Sequence, residues 1–147
     1  MREKASLFVP VAIVILAVIG CSVDPPSIKK LIVSRVKLIR LNSTKFQSNE
    51  TIYVKYEIAH KGHHDDLTVK SFMTAEEDAD GLEKGGVFPG SENTMEFRGG
   101  DNIGTFELSH PDRFPLGKYS ITVELFDKDG KKLDSKTAQI EIVNVIE

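Results

Sequence analysis

Two short stretches concentrate side chains that bind metals. The first reads His60-Lys61-Gly62-His63-His64-Asp65-Asp66, with three imidazoles and two carboxylates in seven positions. Imidazole and carboxylate suit zinc and copper, which hold their ligands at about 2.0–2.2 Å. A tight site needs those ligands to converge. Adjacent side chains such as His63 and His64 tend to diverge, and Lys61 adds a repelling charge. His60, His63 and His64 therefore define a candidate metal-binding loop, set against a plain solvated loop. His110 joins them only if its own loop lies at the same end of the fold. The second stretch is Glu76-Glu77-Asp78-Ala79-Asp80-Gly81. Carboxylates followed by glycine make part of a calcium loop, but the twelve-position pattern and its bidentate Glu are missing. An acidic surface turn is the alternative.

Catalytic patterns are absent from the sequence. There is no G-x-S-x-G elbow, P-loop, H-E-x-x-H helix or Gly-rich dinucleotide turn. Cys21 is the only cysteine, which excludes an internal disulfide framework and a CxxC zinc site. The net charge of −3 does not favour a nucleic-acid partner. The absence of Trp, with only Tyr53, Tyr56 and Tyr119 as tyrosine platforms, disfavours a polysaccharide-binding surface. The expectation is a non-enzyme without a cofactor. At 147 residues, the chain has room for one domain and not for two full ones.

The amino terminus carries the most specific signal. Arg2 and Lys4 precede an uncharged run from Leu7 to Gly20, 14 residues long and interrupted by Pro10, and Cys21 closes it. A membrane-spanning helix needs about 20 apolar residues, so the run is too short to cross. A basic start followed by a short apolar stretch is the form of a secretory signal. Val18-Ile19-Gly20-Cys21 resembles the lipobox of bacterial lipoproteins. That resemblance implies cleavage before Cys21, a diacylglycerol on its sulfur and often a further acyl chain on the new amino group. It also implies a cell-envelope protein anchored through Cys21. Ser22, in place of Asp, implies the outer membrane where there are two membranes.

The expected division is therefore a signal peptide over 1–20, a lipidated Cys and short tether over 21–27, and one domain over 28–147. Losing Arg2, Glu3 and Lys4 takes the net charge from −3 to −4. Pro25 and Pro26 stiffen the tether. Charge is unevenly spread beyond it. Lys29, Lys30, Arg35, Lys37, Arg40 and Lys45 lie in a stretch without an acidic residue. They either rest on anionic head groups, worth about 1 kcal/mol each, or form a solvated basic face beside acidic strands.

Period-two alternation dominates the rest. Ile52, Val54, Tyr56 and Ile58 share one face, as do Tyr119, Ile121, Val123 and Leu125, and then Ala138, Ile140 and Ile142. Such alternation predicts half-buried antiparallel strands. Asp129-Gly130 predicts a tight turn joining strands over Lys118–Asp127 and Leu133–Val143. Further strands are expected over Leu31–Leu41, Leu67–Thr74, Thr94–Phe97 and Ile103–Ser109. About seven strands suit two packed sheets. The stretch from Glu76 to Gly104 holds seven of the eleven glycines and little alternation. Val87, Phe88, Pro89, Met95 and Phe97 in it form either an apolar recognition patch or a cap on the core.

Phe46-x-x-x-Glu50-x-Ile52-x-Val54 and Leu116-Gly117-Lys118-Tyr119 resemble immunoglobulin-like sandwich domains of bacteria. The resemblance implies an all-β, immunoglobulin-like antiparallel β-sandwich. It also implies a tyrosine corner at Tyr119, whose phenol bonds a nearby carbonyl. The antibody-type cysteine pair and core tryptophan are missing. The reading that results is a lipid-anchored envelope module that binds an envelope protein or gives structural support. The alternative is an envelope metal-binding protein using His60, His63 and His64.

Overall fold

A computed structural model describes residues 25–37, 42–60, 66–97 and 102–146. These residues form no helix and eight strands: β1 (Ser27–Ser34), β2 (Lys45–Gln47), β3 (Ile52–Ala59), β4 (Leu67–Ala75), β5 (Asn93–Phe97), β6 (Ile103–Leu108), β7 (Gly117–Phe126) and β8 (Lys132–Val143). One sheet runs β1-β3-β6, the other β2-β8-β7-β4-β5. Every pairing is antiparallel except β2 with β8.

The alternating residues build the core. Ile52, Val54, Tyr56 and Ile58 from β3 are buried with Tyr119, Ile121, Val123 and Leu125 from β7. Leu67, Val69 and Met73 from β4 and Ile140 and Ile142 from β8 join them. Each such side chain stabilises by roughly 1.5–3 kcal/mol before chain entropy is set against it. With β1, β3 and β6 opposing β4, β7 and β8, the molecule is an immunoglobulin-like sandwich. Among the described residues, no strand flanks β6 on its outer side. Ile121, two residues after Tyr119, stands where an antibody domain has its second cysteine.

Eight strands replace the expected seven because Lys45–Gln47 is itself a short strand that buries Phe46 beside β8. The expected Leu31–Leu41 strand starts earlier and ends at Ser34. There the chain folds back on itself. The Val33 amide donates to Asn42 Oδ1 at 3.0 Å, and the Ser43 amide donates to the Val33 carbonyl at 2.7 Å. The β7–β8 hairpin forms as expected. Its turn takes positive φ at Gly130 and not at Asp129. Asp127 organises it instead, through an Oδ1 that accepts from the amides of Asp129 and Lys131, each at 2.9 Å.

Register gives the sandwich two distinct ends. Ser27 pairs with Ala59, Thr68 with Phe126, and Asp134 Oδ2 accepts from the Ile28 amide. The start of β1, the end of β3, the start of β4 and the Asp127–Lys131 turn therefore share one end. Ala75 pairs with Tyr119, and the Phe114 amide donates to the Ser48 carbonyl, so the segments after β4 and before β7 lie at the other.

Candidate functional site

Cys21, His63, His64 and Asp65 lie outside the described residues. His60 follows β3, half-buried, and Asp66 precedes β4, exposed. His110 does not share their end. It follows β6, whose last residue Leu108 pairs with Ile52 at the start of β3, whereas His60 lies beyond the other terminus of β3. Among the described residues no group of three His, Cys, Asp or Glu side chains is placed to hold a metal ion.

The first three carboxylates of the acidic stretch accept hydrogen bonds from within the fold. Glu76 accepts from the Ser120 hydroxyl. Glu77 Oε1 accepts from the Lys118 amide at 3.2 Å, and Asp78 Oδ1 from the Lys84 amide at 2.9 Å. Glu76 and Glu77 thus tie the segment after β4 to β7, and Asp78 closes a turn within that segment. A carboxylate accepting an amide hydrogen bond supports a turn without any ion.

The segment after β4 is tightly ordered by its backbone. The Gly85 amide donates to the Ala75 carbonyl, and the Phe88 amide to the Met73 carbonyl, each at 2.7 Å. Ser91, buried, donates to the Phe88 carbonyl at 2.6 Å and accepts from the Met73 amide at 3.0 Å. Of the five apolar residues in question, Phe88 and Phe97 belong to the core, Met95 packs against it, and Val87 and Pro89 are exposed. They cap the sandwich more than they form a patch. Phe88 sits in an aromatic cluster with His110, Phe114 and Tyr119, at centroid distances of 5.7, 5.5 and 6.2 Å. Sequence reading missed this cluster, since its members come from three separate segments.

Two of the larger open grooves lie among the described residues. One of about 510 Å³ includes Lys45, Lys118, Glu76 and Glu141 on the outer face of the larger sheet. Its charges cancel, and Lys45 Nζ lies 3.9 Å from Glu141 Oε1. The other, about 530 Å³, runs beside β6 and includes Lys37, Tyr53, Asn93, Thr105 and Glu107.

The basic stretch is partly answered by acidic neighbours. Arg35 reaches Glu50 at 3.3 Å and Lys45 faces Glu141, while Lys29 and Lys30 are exposed. The tyrosine corner is present: Tyr119 donates to the Pro115 carbonyl at 2.8 Å. Burial raises its phenol pKa, with a contribution from the Glu77 charge. No family model and no curated protein sequence matches the chain.

Proposed function

We propose that this is a lipid-anchored protein of the bacterial cell envelope, a non-catalytic module that binds or braces another envelope component. The observation that carries the reading is the uncharged run from Leu7 to Gly20 ending at the sole cysteine in Val18-Ile19-Gly20-Cys21. One acyl chain binds a bilayer marginally and reversibly, whereas two or three on one residue hold a small domain there. Ser22 favours the outer membrane where the envelope has two.

The fold supports the reading through its tether. Only residues 22–26 separate Cys21 from the first residue of β1. Fully extended, that stretch reaches about 20 Å. The sandwich thus stays close to the bilayer, which suits a module acting on neighbours in the same membrane. The fold alone carries no activity with it.

The test is membrane fractionation of the Cys21→Ala chain beside the unaltered one. The variant should leave the membrane fraction and keep its β-sheet circular dichroism. Mass spectrometry of the native protein should show an acylated Cys21 as the first residue. A variant that still partitions with membranes, or an unmodified amino terminus at Met1, overturns the proposal.

A further inference from the structure

The two edges of the smaller sheet are finished differently. The β1 edge is closed. Its Ile28 amide is taken by Asp134, and the amide and carbonyl of Val33 are taken by Asn42 and Ser43. A bulge between Ile28 and Lys30 interrupts the strand further, and Lys29 and Lys30 charge it. Such devices stop an edge from recruiting another strand.

Among the described residues, the β6 edge has no such closure. The Ile58 amide donates to the Asn102 carbonyl at 2.7 Å, which makes their facing positions a hydrogen-bonded pair. Alternation then gives the same role to Tyr56–Gly104, Val54–Phe106 and Ile52–Leu108. The amides and carbonyls of Ile103, Thr105 and Glu107 therefore point away from β3. Among the described residues none of these groups is hydrogen-bonded. The strand contains no proline, lysine or register shift, and Ile103 is 50% exposed. The 530 Å³ groove lies beside it.

We infer that β6 pairs with β6 of a second copy of this chain, antiparallel and centred on Thr105, joining two three-stranded sheets into one of six strands. The strand's own composition fits a second copy. Centring on Thr105 sets its outward amide and carbonyl against those of its counterpart, and sets Ile103 against Glu107 on either side. Thr–Thr is a favourable cross-strand pair, and no like charges face each other. The two-fold axis runs normal to the sheet and turns the same face of both copies to one side. Two copies anchored in one bilayer can therefore pair, although the pairing itself does not rest on the anchor.

Disulfide trapping of the full-length chain in detergent micelles tests both the pairing and its register. A hydrogen-bonded antiparallel pair has Cα atoms about 5.5 Å apart, within disulfide reach. Thr105→Cys should give a covalent dimer under mild oxidation, beyond any background from Cys21 in the unaltered chain. Glu107→Cys should not, because it meets its own copy about 13 Å away along the strand. Mixing Ile103→Cys with Glu107→Cys chains should restore the cross-link. Thr105→Pro removes an outward amide and no β3 bond, so it should weaken self-association measured by sedimentation about tenfold. Equal trapping at 105 and 107, a monomer at ~1 mM, or a cross-link to a different protein overturns the proposal.

Discussion

Tyr119 and Tyr56 are both sealed in the core, at 0% and 1% exposure, and the structure holds them by different means. Tyr119 donates to the carbonyl of Pro115, four residues back in the chain. Its constraint is local and polar. Tyr56 reaches across from β3 to Met95 on β5, and its hydroxyl lies 3.6 Å from the thioether sulfur. Sulfur of this kind is a weak acceptor. What places Tyr56 is shape. Its ring packs against Phe97 and Phe106, with centroids 5.9 and 6.4 Å away, and lies over Gly104. One tyrosine fixes a corner through a bond, and the other joins the two sheets by filling a space that glycine leaves open.

The sharpest way to break this comparison is Gly104→Ala. An added Cβ would sit 2.3 Å from Tyr56 Cζ and 2.6 Å from its Cε2. The flanking phenylalanines leave the ring little freedom to retreat. Overpacking of this kind destabilises by about 3 kcal/mol. Urea unfolding of the variant should show a lower midpoint with an unchanged slope. In a Tyr56→Leu background the same alanine should cost less than about 1 kcal/mol, because the clash is gone. Additive losses would show that Gly104 matters for its backbone and not for the ring above it.

The contrast also explains what the sequence made legible. Leu116-Gly117-Lys118-Tyr119 is a contiguous pattern, so the corner is readable from neighbours alone. The β7–β8 hairpin is readable for the same reason, with alternation on either side of Asp129-Gly130. Gly104 and Tyr56 are far apart in the chain, and nothing in the identity of either announces the other. The three residues of β2 are too few to show a period, and their parallel pairing has no local turn to signal it. Candidate ligands behaved likewise. Glu76, Glu77 and Asp78 admit both a partial calcium loop and an acidic surface turn, because their neighbours in sequence are acidic. Ser120 and Lys118 reach Glu76 and Glu77 only through the folded register, while Lys84 meets Asp78 within one turn.

Alkaline titration separates the tyrosines next. Burial pushes the Tyr56 phenol up from 10.0 to about 12. Between those values the unfolded chain has lost this proton and the folded chain keeps it. The stabilisation is complete below pH 10 and is lost as pH rises through about 12. The expected loss is about 1–3 kcal/mol. Tyr119 acts in the same direction, through burial and then the Glu77 charge. Unfolding curves collected over this range should steepen their decline above pH 10. A flat response would mean that water reaches the Tyr56 hydroxyl.

Tyr119→Phe should cost about 1–1.5 kcal/mol, the net worth of a hydrogen bond plus the Pro115 carbonyl left without its donor. Hydrogen exchange should show the loss at the start of β7 before the rest of the sheet opens. Equal loosening of both sheets would mean that the corner holds the whole sandwich and not one crossing.

Tyr56→Phe should have the smallest effect, below about 0.5 kcal/mol at neutral pH. The ring stays, and with it the packing on Phe97, Phe106 and Gly104. The hydroxyl gives up only a contact to sulfur, and phenylalanine has no polar atom to desolvate. The same substitution should remove the Tyr56 share of the alkaline loss. Paired measurements at neutral and high pH on one variant therefore weigh shape against polarity directly. A neutral-pH loss as large as that of Tyr119→Phe would mean that the Met95 contact holds the sheets together, and that the two tyrosines differ in partner and not in kind.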